Sequence, residues 1–166
     1  MQLLIKSLSL LIVLLALVLT GCGTNSGLKT DPALVPYVED FQAEAAKRGI
    51  KTAPVVAVFD DLRYVVPPVE GKTVLGTCTS GIVRIDRSYW TSLATTDVDR
   101  EALMYHELGH CALGRGHVEG WTAHTHPHLN GIVVRIPLSV MRAEFIGGYA
   151  WFIARDYYIN ELFTNR

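Results

Sequence analysis

Apolar and polar positions divide this chain into stretches of different period. An apolar run without charge, Ser7 to Val18, follows a lone Lys6 and is too short for a spanning helix. Gly23 to Pro36 has little periodicity and is rich in Gly, Thr, Asn, Ser and Pro, which predicts a flexible tether over residues 22–34. Val35 to Arg48 carries a partial helical stripe at Tyr37, Val38, Phe41 and Ala45, with Gly49 placed to end it. Val55 to Phe59 is a continuous apolar run rich in β-branched residues that predicts a buried strand, broken by Asp60-Asp61. Leu62 to Val66 predicts a second strand, stopped by Pro67-Pro68. Lys72 to Thr77 and Gly81 to Ile85 predict two more around a turn at Thr79-Ser80-Gly81, one of them at a sheet edge beside a groove. Thr96 and Asp99 form a capping-box pair for a long helix through Ala102, Leu103, Tyr105, Leu108 and Ala112, ending at Gly114. A loop with Trp121, His124, His126 and His128 follows, then a short apolar segment, Ile132 to Ile136. A last helix is expected over Tyr149 to Phe163. This order predicts one α+β domain over residues 35–166, a mixed sheet packed on the long helix.

Composition changes the picture little. The 166 residues suit one domain, and part of the 49% hydrophobic content lies in the N-terminal run. Formal net charge is -1, and no basic stripe points to nucleic acid.

The long helix carries the chemistry. It reads His106-Glu107-Leu108-Gly109-His110, and Gly114 and His117 follow. Residues four apart on a helix share a face, so His106 and His110 can aim two imidazoles at one point. Glu107 is offset around the helix and can reach a metal-bound water without being a ligand. This is the arrangement of a zinc metallopeptidase. Chance placement on an ordinary amphipathic helix is the alternative, and the following Gly and third His argue against it.

Leu19-Thr20-Gly21-Cys22, after the apolar run, resembles a bacterial lipoprotein signal. The resemblance implies a signal peptide at residues 1–21 and a lipid-anchored Cys22. It places the protein in the cell envelope, and in the outer membrane of an organism that has one, because Gly23 and not Asp follows the cysteine. An uncleaved N-terminal anchor helix is the other reading. Of three cysteines, Cys78 and Cys111 then remain in an oxidising compartment. A disulfide between them would staple the motif helix to the sheet, with a loop-closure effect of about 3–4 kcal/mol. Two buried thiols, or a metal-bound cysteine, are the alternatives.

The helix, the Gly break and the third His resemble the metzincin metallopeptidases, whose pattern is H-E-x-x-H-x-x-G-x-x-H with a Met-turn further on. The resemblance implies Zn2+ ligands at His106, His110 and His117 and a general base at Glu107. It makes Gly114 the turning residue, and it makes Met141, in Ser139-Val140-Met141, the floor beneath the metal. It implies a small metzincin-like domain with a C-terminal helix after the Met-turn. In this sequence the Gly and the third His come one residue late, and one residue turns a helix by about 100°. Gly116 is the expected source of the extra freedom. Bacterial metzincin-like lipoproteins and secreted proteins have a similar H-E-L-G-H-C-x-L-x-R-x-H stretch, which makes this a variant of the pattern. Arg142 stands where some metzincins place a zinc-ligating Tyr.

Other residues compete for these roles. His124, His126 and His128 form a solvated loop, a second metal site, a substrate-binding or proton-transfer group, or the source of the third ligand. Glu119 or Glu144 replaces His117 if that ring points away. Met141 is otherwise a core methionine. Tyr149, Tyr157 and Tyr158 are core or surface aromatics, or one donates to an oxyanion. Arg115 is expected to pair with an acidic residue and fix the turn. The expected function is a zinc-dependent envelope peptidase acting on a peptide or protein. The alternatives are a non-catalytic envelope lipoprotein used for binding or structure, and an amidase acting on peptidoglycan.

Overall fold

A computed structural model describes residues 27–65, 73–126 and 131–164. The expected signal peptide, Cys22 and His128 lie outside the described residues. Of the expected tether, the part from Thr30 onward is docked. Thr30 Oγ1 accepts from the Ala57 N–H (3.2 Å), Asp31 Oδ2 accepts from the Phe59 N–H (2.7 Å), and Leu34 is fully buried.

The elements in chain order are α1 (Val35–Lys47), β1 (Val56–Asp60), α2 (Leu62–Val65), β2 (Gly76–Thr79), β3 (Ile82–Asp86), α3 (Arg87–Thr91), α4 (Asp97–Leu113), β4 (Trp121–Thr125), β5 (Val133–Pro137) and α5 (Gly147–Thr164). The architecture is α+β. One sheet has the order β1-β3-β2; β1 and β3 are parallel and β2 runs antiparallel to β3, so the sheet is mixed and β2 is an edge strand. β4 and β5 form a separate antiparallel hairpin.

α4 is the axis of the molecule. Its N-terminus is capped as expected: Thr96 Oγ1 accepts from the Asp99 N–H and Asp99 Oδ2 accepts from the Thr96 N–H. Residues 102–109 are all buried, as in a helix covered on every side. Each fully buried Leu or Met there contributes about 1.5–3 kcal/mol. α1 covers one flank, with Phe41 against Tyr105 (5.3 Å between ring centroids) and the Tyr105 hydroxyl donating to Asp40 (2.7 Å). α5 covers another through Trp151, tilted against Tyr105 at 4.9 Å between ring centroids, and through Leu162. α5 breaks helical geometry at Ala154 (φ -137°, ψ 27°), with no Pro or Gly at that point.

Two expectations are corrected and one element is added. The strand expected at residues 62–66 is a helical turn over Leu62–Val65: the Asp86 carboxylate accepts from the Leu62 N–H (3.2 Å) and secures a helix start that strand-like composition hides. α3 was not apparent from the pattern; Asp86 caps it by accepting from the Tyr89 N–H (2.9 Å). The loop expected around His124 is strand β4, in register with β5 from Trp121 opposite Pro137 to Thr125 opposite Val133. Its apolar residues Trp121 and Ala123 fall on the exposed face, the reverse of the pattern that marks a half-buried strand, so only the partner reveals it.

Candidate metal centre

Three imidazoles meet at the C-terminal end of α4. His106 Nε2 and His110 Nε2 are 3.1 Å apart, and His110 Nε2 and His117 Nε2 are 3.2 Å apart. One ligand atom from each ring lies within 4.8 Å of the others, and these three form the cluster able to hold a metal ion among the described residues. His106 is buried, His110 half-buried and His117 exposed, so the cluster opens to one side.

The far side of two rings is fixed by backbone. His106 Nδ1 lies 2.8 Å from the Val140 carbonyl oxygen and His110 Nδ1 lies 2.6 Å from that of Arg115. A carbonyl only accepts, so both Nδ1 atoms carry the proton in the neutral rings and both Nε2 atoms present bare lone pairs. Lone pairs 3.1 Å apart repel unless a cation lies between them. Tetrahedral Zn–N bonds of about 2.0–2.1 Å place ligand nitrogens about 3.3 Å apart, so the ligand set fits such an ion. Burial also favours the uncharged rings. It holds the His106 pKa down at about 4, and it lowers that of His110.

The late glycine is accommodated at one residue. Gly114 adopts the left-handed conformation (φ 68°, ψ 22°) and caps α4, its N–H donating to the His110 carbonyl (3.1 Å). The Arg115 N–H reaches back to the Gly109 carbonyl (3.0 Å), and His117 returns to the cluster. The freedom expected of Gly116 is not used, because its φ is not positive.

Met141 is fully buried against α4. A Cβ on Gly109 would collide with Met141 Sδ and come within 3.1 Å of Leu162 Cδ1, so the missing side chain is what admits this packing. β2 runs along another side of α4. A Cβ on Gly76 would lie 2.6 Å from Glu107 Oε1, so the edge strand passes directly over the carboxylate. The disulfide Cys78–Cys111, with Cα atoms 5.5 Å apart, ties β2 to α4 one residue beyond His110. A cleft of about 550 Å³ lies between β2 and α4, lined by Gly76, Thr77, His106, Glu107, His110, His117 and Phe145 among others. Glu107 is 4% exposed, and burial pushes its pKa up to about 8.

The competing residues lie elsewhere. Glu119 accepts from Arg142 (3.3 Å) and the Ala143 N–H (3.1 Å), and Glu144 accepts from Arg142 (2.8 Å). Arg142 itself lies over the Trp121 ring at 4.8 Å. His124 packs near Tyr157 (5.9 Å) and does not join the cluster. Tyr157 donates to the Leu138 carbonyl (2.7 Å), Tyr158 is buried in the core, and Tyr149 is exposed. The acidic partner of Arg115 is Glu161, at 2.7 Å. Gly76 and Glu161 carried no signal in the sequence, because neither sits in a local pattern with the motif.

Comparison of the chain with protein families, with curated proteins and with solved structures finds no match.

Proposed function

We propose that this protein is a zinc-dependent peptidase of the bacterial cell envelope, with Glu107 as general base. The observation that carries the reading is the position of Glu107: a buried carboxylate in the same cleft as three converging imidazoles, under an edge strand. A site that only bound metal would need the ligands and not this base. Zinc in the cluster supplies a Lewis acid for the scissile carbonyl and a water acidic enough to attack near neutral pH.

The chain's own residues do the rest. His106, His110 and His117 would hold the ion beside the cleft. Glu107 accepts the water's proton at its carboxylate and returns it to the leaving amine. Its raised pKa suits both steps, and a cation beside it moves that pKa down toward the working range. β2 offers its free edge along the cleft, so an extended peptide can pair with it and lay its backbone across the cluster. Gly76 leaves room for both the peptide and the Glu107 carboxylate.

The envelope location rests on the Leu19 to Cys22 motif, with Cys22 as the lipid anchor, and on the disulfide, which suits an oxidising compartment. The test uses zinc-loaded protein and a peptide library. Glu107→Gln keeps stoichiometric zinc and loses hydrolysis by about 10²–10⁴-fold. Equal cleavage by wild type and variant sinks the proposal.

A further inference from the structure

The backbone carbonyls that orient His106 and His110 belong to two separate loops, and one buried carboxylate on a third element grips both. Glu161 Oε1 lies 2.7 Å from an Arg115 guanidinium nitrogen, and the two side chains are 8% and 9% exposed. Glu161 Oε2 accepts from the Ser139 hydroxyl at 2.6 Å, and Ser139 is fully buried. The Ser139 oxygen in turn accepts from the Met141 N–H at 3.0 Å. Arg115 also donates to the Leu162 carbonyl at 2.8 Å. One side of this carboxylate therefore holds residue 115, whose carbonyl receives His110 Nδ1. The other holds the turn of residues 139–141, where the Val140 carbonyl receives His106 Nδ1.

We infer that Glu161 is a positioning residue of the metal centre, acting through Arg115 and Ser139 to hold the two carbonyls that set the tautomer and aim of His106 and His110. The inference rests on the metal reading above. Groups that orient ligand imidazoles are worth about 10–100-fold in metal affinity when removed. A buried charge with two partners is a stiff clamp, because either partner alone leaves it unsatisfied. α5 is also tied directly to α4, by Arg155 of α5 on Glu101 of α4 at 2.8 Å. That second pair touches neither loop and serves as the internal control.

The experiment measures zinc affinity by chelator competition and records the visible spectrum of the cobalt(II)-loaded full-length protein, which reports ligand geometry without any turnover. Glu161→Gln and Ser139→Ala are expected to weaken zinc binding by about 10–100-fold and to change the cobalt spectrum. Arg155→Ala is expected to leave both unchanged. Glu161→Asp is expected to recover part of the affinity. If Glu161→Gln does not fold, Ser139→Ala, which removes only a hydroxyl, decides alone. An unchanged spectrum and affinity in these variants overturns the inference while the metal reading stands. An equal effect of Arg155→Ala overturns it too, since loosening α5 would then suffice. A wild type that binds neither zinc nor cobalt overturns the metal reading and the inference with it.

Discussion

Two stretches of this chain are rich in histidine, and among the described residues only one gathers its rings. His106, His110 and His117 bring their Nε2 atoms together, whereas His124, on β4, turns its ring toward Tyr157 and joins no cluster. The difference is one of support. In the first stretch a helix places two rings one turn apart, and backbone carbonyls of Val140 and Arg115 hold their Nδ1 atoms. His124 lies on β4 and His126 just beyond its end, and neither belongs to a metal-competent group among the described residues. Histidine count does not make a metal site; fixed second nitrogens and convergent first ones do.

The comparison can be broken at its strongest point first. His110→Ala is expected to abolish metal binding, while His124→Ala keeps full metal content in elemental analysis. Loss of metal in both would merge the two stretches into one site. The next effect is on the scaffold. Replacing Cys78 and Cys111 together by Ser removes the bond between β2 and α4, and the urea unfolding midpoint should fall by the equivalent of about 3–4 kcal/mol. Gly109→Ala forces Met141 and Leu162 apart and should destabilise by about 1–3 kcal/mol, with a lower melting temperature as the readout.

The smallest expected effect is on pH dependence, and it sharpens the electrostatic contrast within the site. In metal-free protein the folded Glu107 pKa is raised to about 8, so its stabilising contribution is present below the unfolded carboxylate range and lost as pH rises through 8. His106 is depressed to about 4, so its contribution is present above about pH 6.5 and lost as pH falls through 4. Between about pH 6.5 and 8 only Glu107 changes. The melting temperature of metal-free wild type should fall across that window, and Glu107→Gln should remove the fall. A flat profile for both proteins would contradict the burial argument.

The parts of this site that were legible in the sequence are those set by local spacing. The i, i+4 pair His106 and His110, the Glu107 between them, the Thr96–Asp99 cap and the stop at Gly114 follow from helix periodicity. The Cys78–Cys111 bond followed from counting cysteines once Cys22 was assigned to lipid. His117 was in doubt because a one-residue delay has no fixed outcome until the turn at Gly114 is seen. β4, α2 and α3 were hidden because their stability comes from partners: β5 for the first, the Asp86 carboxylate for the other two. Glu161 was invisible because its partners Arg115 and Ser139 are distant in sequence and share no period with it.

The reach of Glu161 has a consequence for how the chain is made. The cluster lies on α4 and the loop after it, and α5, which braces both, leaves the ribosome after all three histidines have emerged. A nascent chain that stops before α5 has its three histidines and Glu107, but it lacks the buried Trp151, Tyr158 and Leu162 that complete the core. Long-range contacts of this kind form late in folding. The cleft is therefore completed only after α5 has been made, which keeps it from taking shape on a chain that ends short of that helix.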